Sequence, residues 1–234
     1  MHKYYSFTRS KRAFFITLSF LLILAVIPIS KTAKSALANY HSNKITVVID
    51  AGHGGIDGGV LGKISKTKES DLNLIIAKKL KSQFENAGFS VVMTRSSFGG
   101  LYGATSKGFK LRDMKKRIKI INSSSASAMI SVHLNYYSDP ARRGATVFFN
   151  QNSAEGRRLA EYIQKYFNSS SASTRDLSPL KGDYYLLNES FCPAVICECG
   201  FLSNAEEEKL LLTDEYQTEI ANLIFLGASA FLLG

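Results

Sequence analysis

Four histidines occur in the chain, and two of them, His2 and His41, precede the region that can fold as a domain. The other two stand at equivalent places. His53 follows Ile45-Thr46-Val47-Val48-Ile49-Asp50 within Ala51-Gly52-His53-Gly54-Gly55, and His133 ends Met129-Ile130-Ser131-Val132. Both preceding runs are short, apolar and β-branched, the pattern of a buried strand. The glycines around His53 permit a tight turn that presents the imidazole at the rim of a sheet. In open α/β sheets, sites form outside the carboxyl ends of the strands. A single histidine of this kind reads as a packed or solvated side chain. Two at equivalent strand ends, with none to spare, point to a shared metal ion.

Two imidazoles need a third ligand to make a zinc site with one open position. Glu69 is the candidate, three residues before Leu72 and so on the side of that helix's apolar stripe. Its competing role is to stabilise the helix N-terminus, which Asp71 serves equally well. Glu198 closes the apolar run Ala194-Val195-Ile196-Cys197. A carboxylate there carries a desolvation cost unless it is paired, hydrogen-bonded or near a cation. It suits a general acid/base that takes a proton from a zinc-activated water and passes it to a leaving amine; a solvent-facing strand end is the weaker alternative. Asp50 or Asn135 are candidates to hydrogen-bond the imidazoles from behind. Cys192, Cys197 and Cys199 lack the two-residue gap of common zinc pairs, and on a strand Cys197 and Cys199 face away from Glu198. They read as buried small hydrophobes, with a Cys nucleophile beside His133 the weaker alternative.

The elements that must position these residues follow from periodicity. Strands are expected at Ile45–Asp50, Ser90–Thr94, Ala128–His133, Ala145–Phe149 and Ala194–Glu198. Leu72, Ile76, Leu80 and Phe84 recur at helical spacing, with Gly88 as the stop. Further helices are expected at Leu111–Asn122 (basic), Glu155–Phe167 with Leu159, Tyr162, Ile163 and Tyr166 inward, a short acidic one capped by Asn204, and Asp214–Leu232. Strands alternating with helices predict an α/β fold, a single domain with a mainly parallel or mixed twisted sheet and helices on both faces.

Composition bounds the alternatives. The chain has 234 residues with 45% hydrophobic and 21% charged side chains, enough for one good core. Three cysteines cannot staple a domain of this size. The net charge of +10 suggests nucleic acid until its location is considered. Residues 1–38 hold six bases and no acid; 29 bases less those six, against 19 acids, leave +4 for the remainder. Nucleic acid is therefore not the expected partner. Lys3, Arg9, Lys11 and Arg12 precede an uncharged run from Ala13 to Ile29, and Ala36-Leu37-Ala38 offers a small-x-small cleavage site. Residues 1–38 thus read as a signal peptide or membrane anchor that exports the rest, with cleavage and retention both open. Residues 39–44 read as a linker and 45–234 as the catalytic domain.

Taken together, VVIDAGHGGIDGG (Val47–Gly59), KESDLNLIIAKKL (Lys68–Leu80), VVMTR (Val91–Arg95), MISVHLN (Met129–Asn135) and CECGFLSN (Cys197–Asn204) resemble the zinc-dependent N-acetylmuramoyl-L-alanine amidases of peptidoglycan turnover. Ala51 replaces the proline usual before G-H-G-G, and cysteines flank Glu198; neither change touches a ligand. The resemblance implies one zinc ion on His53, Glu69 and His133, Glu198 as acid/base, and Arg175 as a residue that positions substrate carboxylates, with Lys181 its rival and Asn135 also at the substrate. It implies a glycan-peptide substrate and an activator or accessory protein. The loop Gly100–Arg112 is similar to that of the sporulation and germination-specific amidases, which implies a role in spore cortex, in muramic-δ-lactam formation, in the space between forespore and mother cell. A zinc exopeptidase and a non-catalytic peptidoglycan-binding scaffold are the competing functions. The first needs several further acidic ligands that are not visible, and the second does not need Glu69 and Glu198 beside both histidines.

Overall fold

Alternation along the strands decides which side chains meet. The computed structural model describes residues 44–170 and 172–234, so the expected leader over 1–38, and the linker over 39–44 apart from Lys44, lie outside the described residues. Residues Ile45–Gly234 form one unit. Its strands are β1 (Thr46–Ala51), β2 (Ser90–Met93), β3 (Ala128–Asn135), β4 (Thr146–Phe149), β5 (Leu180–Lys181) and β6 (Ala194–Phe201), in the order β2-β1-β3-β6-β4-β5. The β2-β1-β3-β6 part is parallel; β4 runs antiparallel to β6 and parallel to β5. The sheet is mixed, as the sequence allows.

The helices are α1 (Glu69–Asn86), α2 (Phe109–Ser123), α3 (Ala154–Asn168), α4 (Tyr185–Glu189), α5 (Ala205–Leu211) and α6 (Asp214–Leu233). In α1, Leu72, Ile76, Leu80 and Phe84 fall on one face and are all buried. Each such side chain contributes about 1.5–3 kcal/mol by leaving water. The helix stops where Gly88 takes φ +90°. In α3, Leu159 and Ile163 point inward as expected, joined by Ala160 and Phe167, while Tyr162 and Tyr166 are only half-buried. Asn204 caps α5 by accepting from the amides of Glu206 and Glu207.

One face of the sheet, carrying Val47, Ile49, Ile130, Val132, Val195 and Cys197, packs against α1, α3 and α6. The other, carrying Val48, Met129 and Ile196, packs against Ile121 of α2 and Leu186 and Leu187 of α4. Successive residues of a strand point to opposite faces, so His133 and Glu198 share the α2/α4 side with Met129 and Ile196. They are also register partners on adjacent strands. The central strands thus deliver a histidine and a carboxylate side by side at one rim. Two elements lie outside the expected set, the two-residue β5 and the five-residue α4; neither is long enough to show a period.

Candidate metal centre and catalytic cleft

Beyond β1 the chain turns sharply. His53 takes φ +60°, a left-handed conformation that costs a non-glycine residue about 1–2 kcal/mol, and its ring centroid stands 4.9 Å from that of His133. Gly52 is required beside it, because a Cβ there would lie 2.3 Å from ring atoms of His133. Glu69 opens α1 and is buried. Its Oε2 stands 3.3 Å from His53 Nε2 and its Oε1 stands 3.0 Å from His133 Nδ1. Backbone amides hold it in place: Val60 donates to Oε2 and Leu134 to Oε1, while Asn73 Nδ2 donates to Oε1 at 3.1 Å. His53, Glu69 and His133 each offer a ligand atom within 4.8 Å of the others, and they are the group of this kind found among the described residues.

The electrostatics are those of a cation site. Burial disfavours an imidazolium at His53, but hydrogen bonds to Asp57 and Glu69 outweigh it and raise the pKa to about 9. Burial likewise works against the Glu69 carboxylate, and the two imidazoles more than offset it, holding the carboxyl well below the usual range. His53 Nδ1 is tied to Asp57 Oδ2 at 3.0 Å, which leaves Nε2 directed at Glu69. The partner behind His53 is therefore Asp57, not Asp50 or Asn135. Asp50 is fully buried and committed elsewhere: it accepts from Thr94, Ser131 and Arg117, which overcome the effect of burial and hold its pKa at about 2. Asn135 uses its side-chain oxygen to accept from the Tyr136 amide.

Glu198 lies on the same rim. Its Oε2 is buried without a hydrogen-bond partner, an arrangement that native structures rarely keep without a use. Burial pushes its pKa up. The four residues line a cleft of about 450 Å³ walled by Lys110, Tyr102, Tyr136, Tyr184 and Tyr185. Arg175 is not in this cleft. It lines an adjoining hollow of about 370 Å³ together with Arg142, Arg143 and Phe148, and Asn135 borders both spaces. Lys181 lines neither.

The cysteines face the core. Cys197 and Cys199 are fully buried, and burial raises the pKa of both thiols, as it does that of the half-buried Cys192. None lines the cleft. Alkylation of the native protein with iodoacetamide is expected to leave its activity within a factor of about two; loss of activity in step with labelling would bring a thiol into the mechanism.

A mixed sheet with two histidines at its strand ends, a glutamate from the head of α1 between them and a partnerless carboxylate beside them defines the class: an α/β protein with a candidate hydrolytic metal centre. Residues 47–230 match the N-acetylmuramoyl-L-alanine amidase family, and the chain belongs to it. The reaction is hydrolysis of the amide that joins N-acetylmuramic acid to L-alanine in peptidoglycan. The germination-specific N-acetylmuramoyl-L-alanine amidase of Bacillus subtilis is 35% identical over 189 residues, spanning 80% of this chain and 78% of that one. The CwlD amidase of Clostridioides difficile, solved in complex with the GerS lipoprotein, is 36% identical with a TM-score of 0.77, covering 81% of this chain and 99% of that one. The catalytic domain of CwlV from Bacillus (Paenibacillus) polymyxa is 30% identical with a TM-score of 0.71, covering 80% and 98%.

Proposed function

We propose that His53, Glu69 and His133 hold one zinc ion and that Glu198 is the acid/base of the amidase reaction. The observation that carries this is the meeting of a three-residue ligand group with the unpartnered buried oxygen of Glu198. Held by these three residues, zinc would supply an acidified water, lowering its pKa from about 15.7 towards roughly 7. Glu198 takes the proton as the water oxygen bonds to the lactyl carbonyl carbon of N-acetylmuramic acid. It then delivers that proton to the nitrogen of L-alanine as the C–N bond breaks, leaving a lactyl carboxylate and a free amine. Tyr102, Tyr136, Tyr184 and Tyr185 give the cleft walls against which the substrate packs. Asn135 and Arg175, on the border and in the adjoining hollow, take the peptide beyond L-alanine, with Arg175 facing its carboxylates.

We also place the chain in spore cortex, on the strength of the germination-specific relative and the CwlD neighbour. There, removal of stem peptides precedes muramic-δ-lactam formation. Residues 1–38 export the domain and, if retained, tether it to the membrane; residues 45–234 are the catalytic domain. An accessory protein accompanies it, as the GerS lipoprotein accompanies CwlD.

The test is mass spectrometry of cortex and vegetative peptidoglycan incubated with the zinc-loaded protein and with chelator-treated protein. Released peptides with a free N-terminal L-alanine are expected from the zinc-loaded sample only, and from cortex more than from vegetative wall. Release unaffected by complete removal of metal would overturn the zinc assignment. Binding to both walls without release would favour a scaffold, and cleavage elsewhere in free peptides an exopeptidase.

A further inference from the structure

The chain leaves the sheet at the end of β1 with a last ladder bond from the Gly52 amide to Val132, and from there its carbonyls need other donors. Two buried guanidiniums provide most of them, with Asn73 Nδ2 reaching Gly52 O at 3.3 Å. Arg95 Nε donates to Ala51 O at 2.8 Å, Nη2 to both Gly52 O and Ser70 O at 2.8 Å, and Nη1 to Ser97 O at 2.9 Å. Arg117 donates through Nη1 to Ala51 O and Asp50 Oδ1, both at 2.7 Å, and through Nη2 to His53 O. Arg117 is neutralised by Asp50 and Asp113. Arg95 is different: it is 3% exposed and forms no direct ion pair among the described residues, so four carbonyl oxygens take its hydrogen bonds while Asp50, Asp113 and Asp71 balance its charge only at longer range.

A buried cation with no carboxylate in contact is costly, and an apolar side chain would fill the same space with less penalty. What an apolar side chain could not do is join two particular carbonyls. Gly52 O belongs to the residue before His53, and Ser70 O to the residue after Glu69. One nitrogen of Arg95 bonds both.

We propose that Arg95 is a positioning residue of the zinc site, whose guanidinium ties the Gly52 and Ser70 carbonyls together and so fixes the spacing of His53 and Glu69 before metal binds. Arg117 holds the far side of the same turn through the His53 carbonyl, sustaining its left-handed backbone. The role rests on the zinc reading given above. A lysine cannot replace this fork, because a compact ammonium on a flexible stem cannot span the same carbonyls in fixed planar geometry.

The test uses the full chain freed of metal, titrated with zinc against a chromophoric chelator, with the unfolding midpoint of each metal-free protein measured in parallel. Arg112→Lys is the control. Arg112 also donates to backbone carbonyls, those of Tyr102, Ala104, Ser106 and Lys107, but touches neither ligand segment. Arg95→Lys is expected to weaken zinc binding roughly 10–100-fold, the usual scale for groups that orient ligands, and Arg112→Lys by less than about threefold. If Arg95→Lys does not fold, Arg95→Gln, which keeps a donor and removes the buried charge, is expected to show the same loss. Equal zinc affinity in the Arg95 variant and the unmodified protein overturns the proposal alone. Affinity that falls in both variants in step with the unfolding midpoint also overturns it, leaving a structural brace. Failure of the unmodified protein to take up zinc overturns the zinc reading and this proposal with it.

Discussion

Glu198→Gln is expected to lower turnover roughly 10²–10⁴-fold, the range general acid/base groups contribute, while zinc uptake stays within about threefold of the unmodified protein. Glutamine keeps the shape of the side chain and removes the basic oxygen. Glu198 is not needed as a ligand, since His53, Glu69 and His133 already offer three atoms within reach of one another. Zinc content measured by atomic emission beside turnover on peptidoglycan separates the two effects. Equal turnover in the variant would remove Glu198 from the mechanism, and loss of zinc would make it a ligand instead.

The same substitution carries a stability signature. Burial raises the Glu198 pKa above its ordinary carboxyl value. A carboxyl raised in this way contributes stability below its unfolded pKa, and that contribution is lost as pH rises through the folded one. Ionising Glu198 in the folded, metal-free protein therefore costs more than ionising it in the unfolded chain. Metal-free Glu198→Gln is accordingly expected to melt higher than the unmodified protein at pH 7, with the difference vanishing below about pH 4. A melting point unchanged across this pH range would show that the Glu198 carboxylate is not held at a cost.

How far these features can be read from residues alone depends on the range of the interactions. The β-branched runs of β1, β3 and β6 and the apolar stripe of α1 announce themselves through their periods, because burial on a sheet or helix face is decided locally. That both histidines lie at strand ends follows directly. The pairing of His133 with Glu198 does not, since it requires β6 to insert beside β3 across more than sixty intervening residues. Asp57 stands four residues after His53, yet its contact depends on the positive φ of His53, which sequence pattern does not display. The basic helix α2 shows the same limit. Lys115, Lys116 and Lys119 are exposed, as a charged run suggests, but Arg117 in their midst is fully buried because Asp50, Asp113 and two carbonyls await it. Long-range polar complementarity leaves no periodic trace.

Backbone shape is as much a part of the site as its side chains, and Gly59→Ala is expected to show it. Gly59 has φ +67°, a conformation that costs an alanine about 1–2 kcal/mol, and an added Cβ would lie 2.3 Å from Glu69 Oε2 and 2.8 Å from His53 Cδ2. No single rotamer change relieves both contacts, because Glu69 is fixed by the amides of Val60 and Leu134, and His53 by Asp57. Two of the three ligand residues must therefore move. Gly58 provides the contrast: its added Cβ would meet the flexible side chain of Lys68 at 3.3 Å, and its φ is ordinary. Gly59→Ala is expected to weaken zinc binding by at least roughly 10–100-fold and to abolish detectable amide cleavage, while Gly58→Ala keeps both within about threefold. Competition titration with zinc and release of L-alanine-terminated peptides give the two readings. Normal zinc affinity in Gly59→Ala would mean that the ligand side chains can rearrange freely around the turn. Site geometry would then be set by the metal, and not by the buried amides and glycine that hold each ligand residue in place.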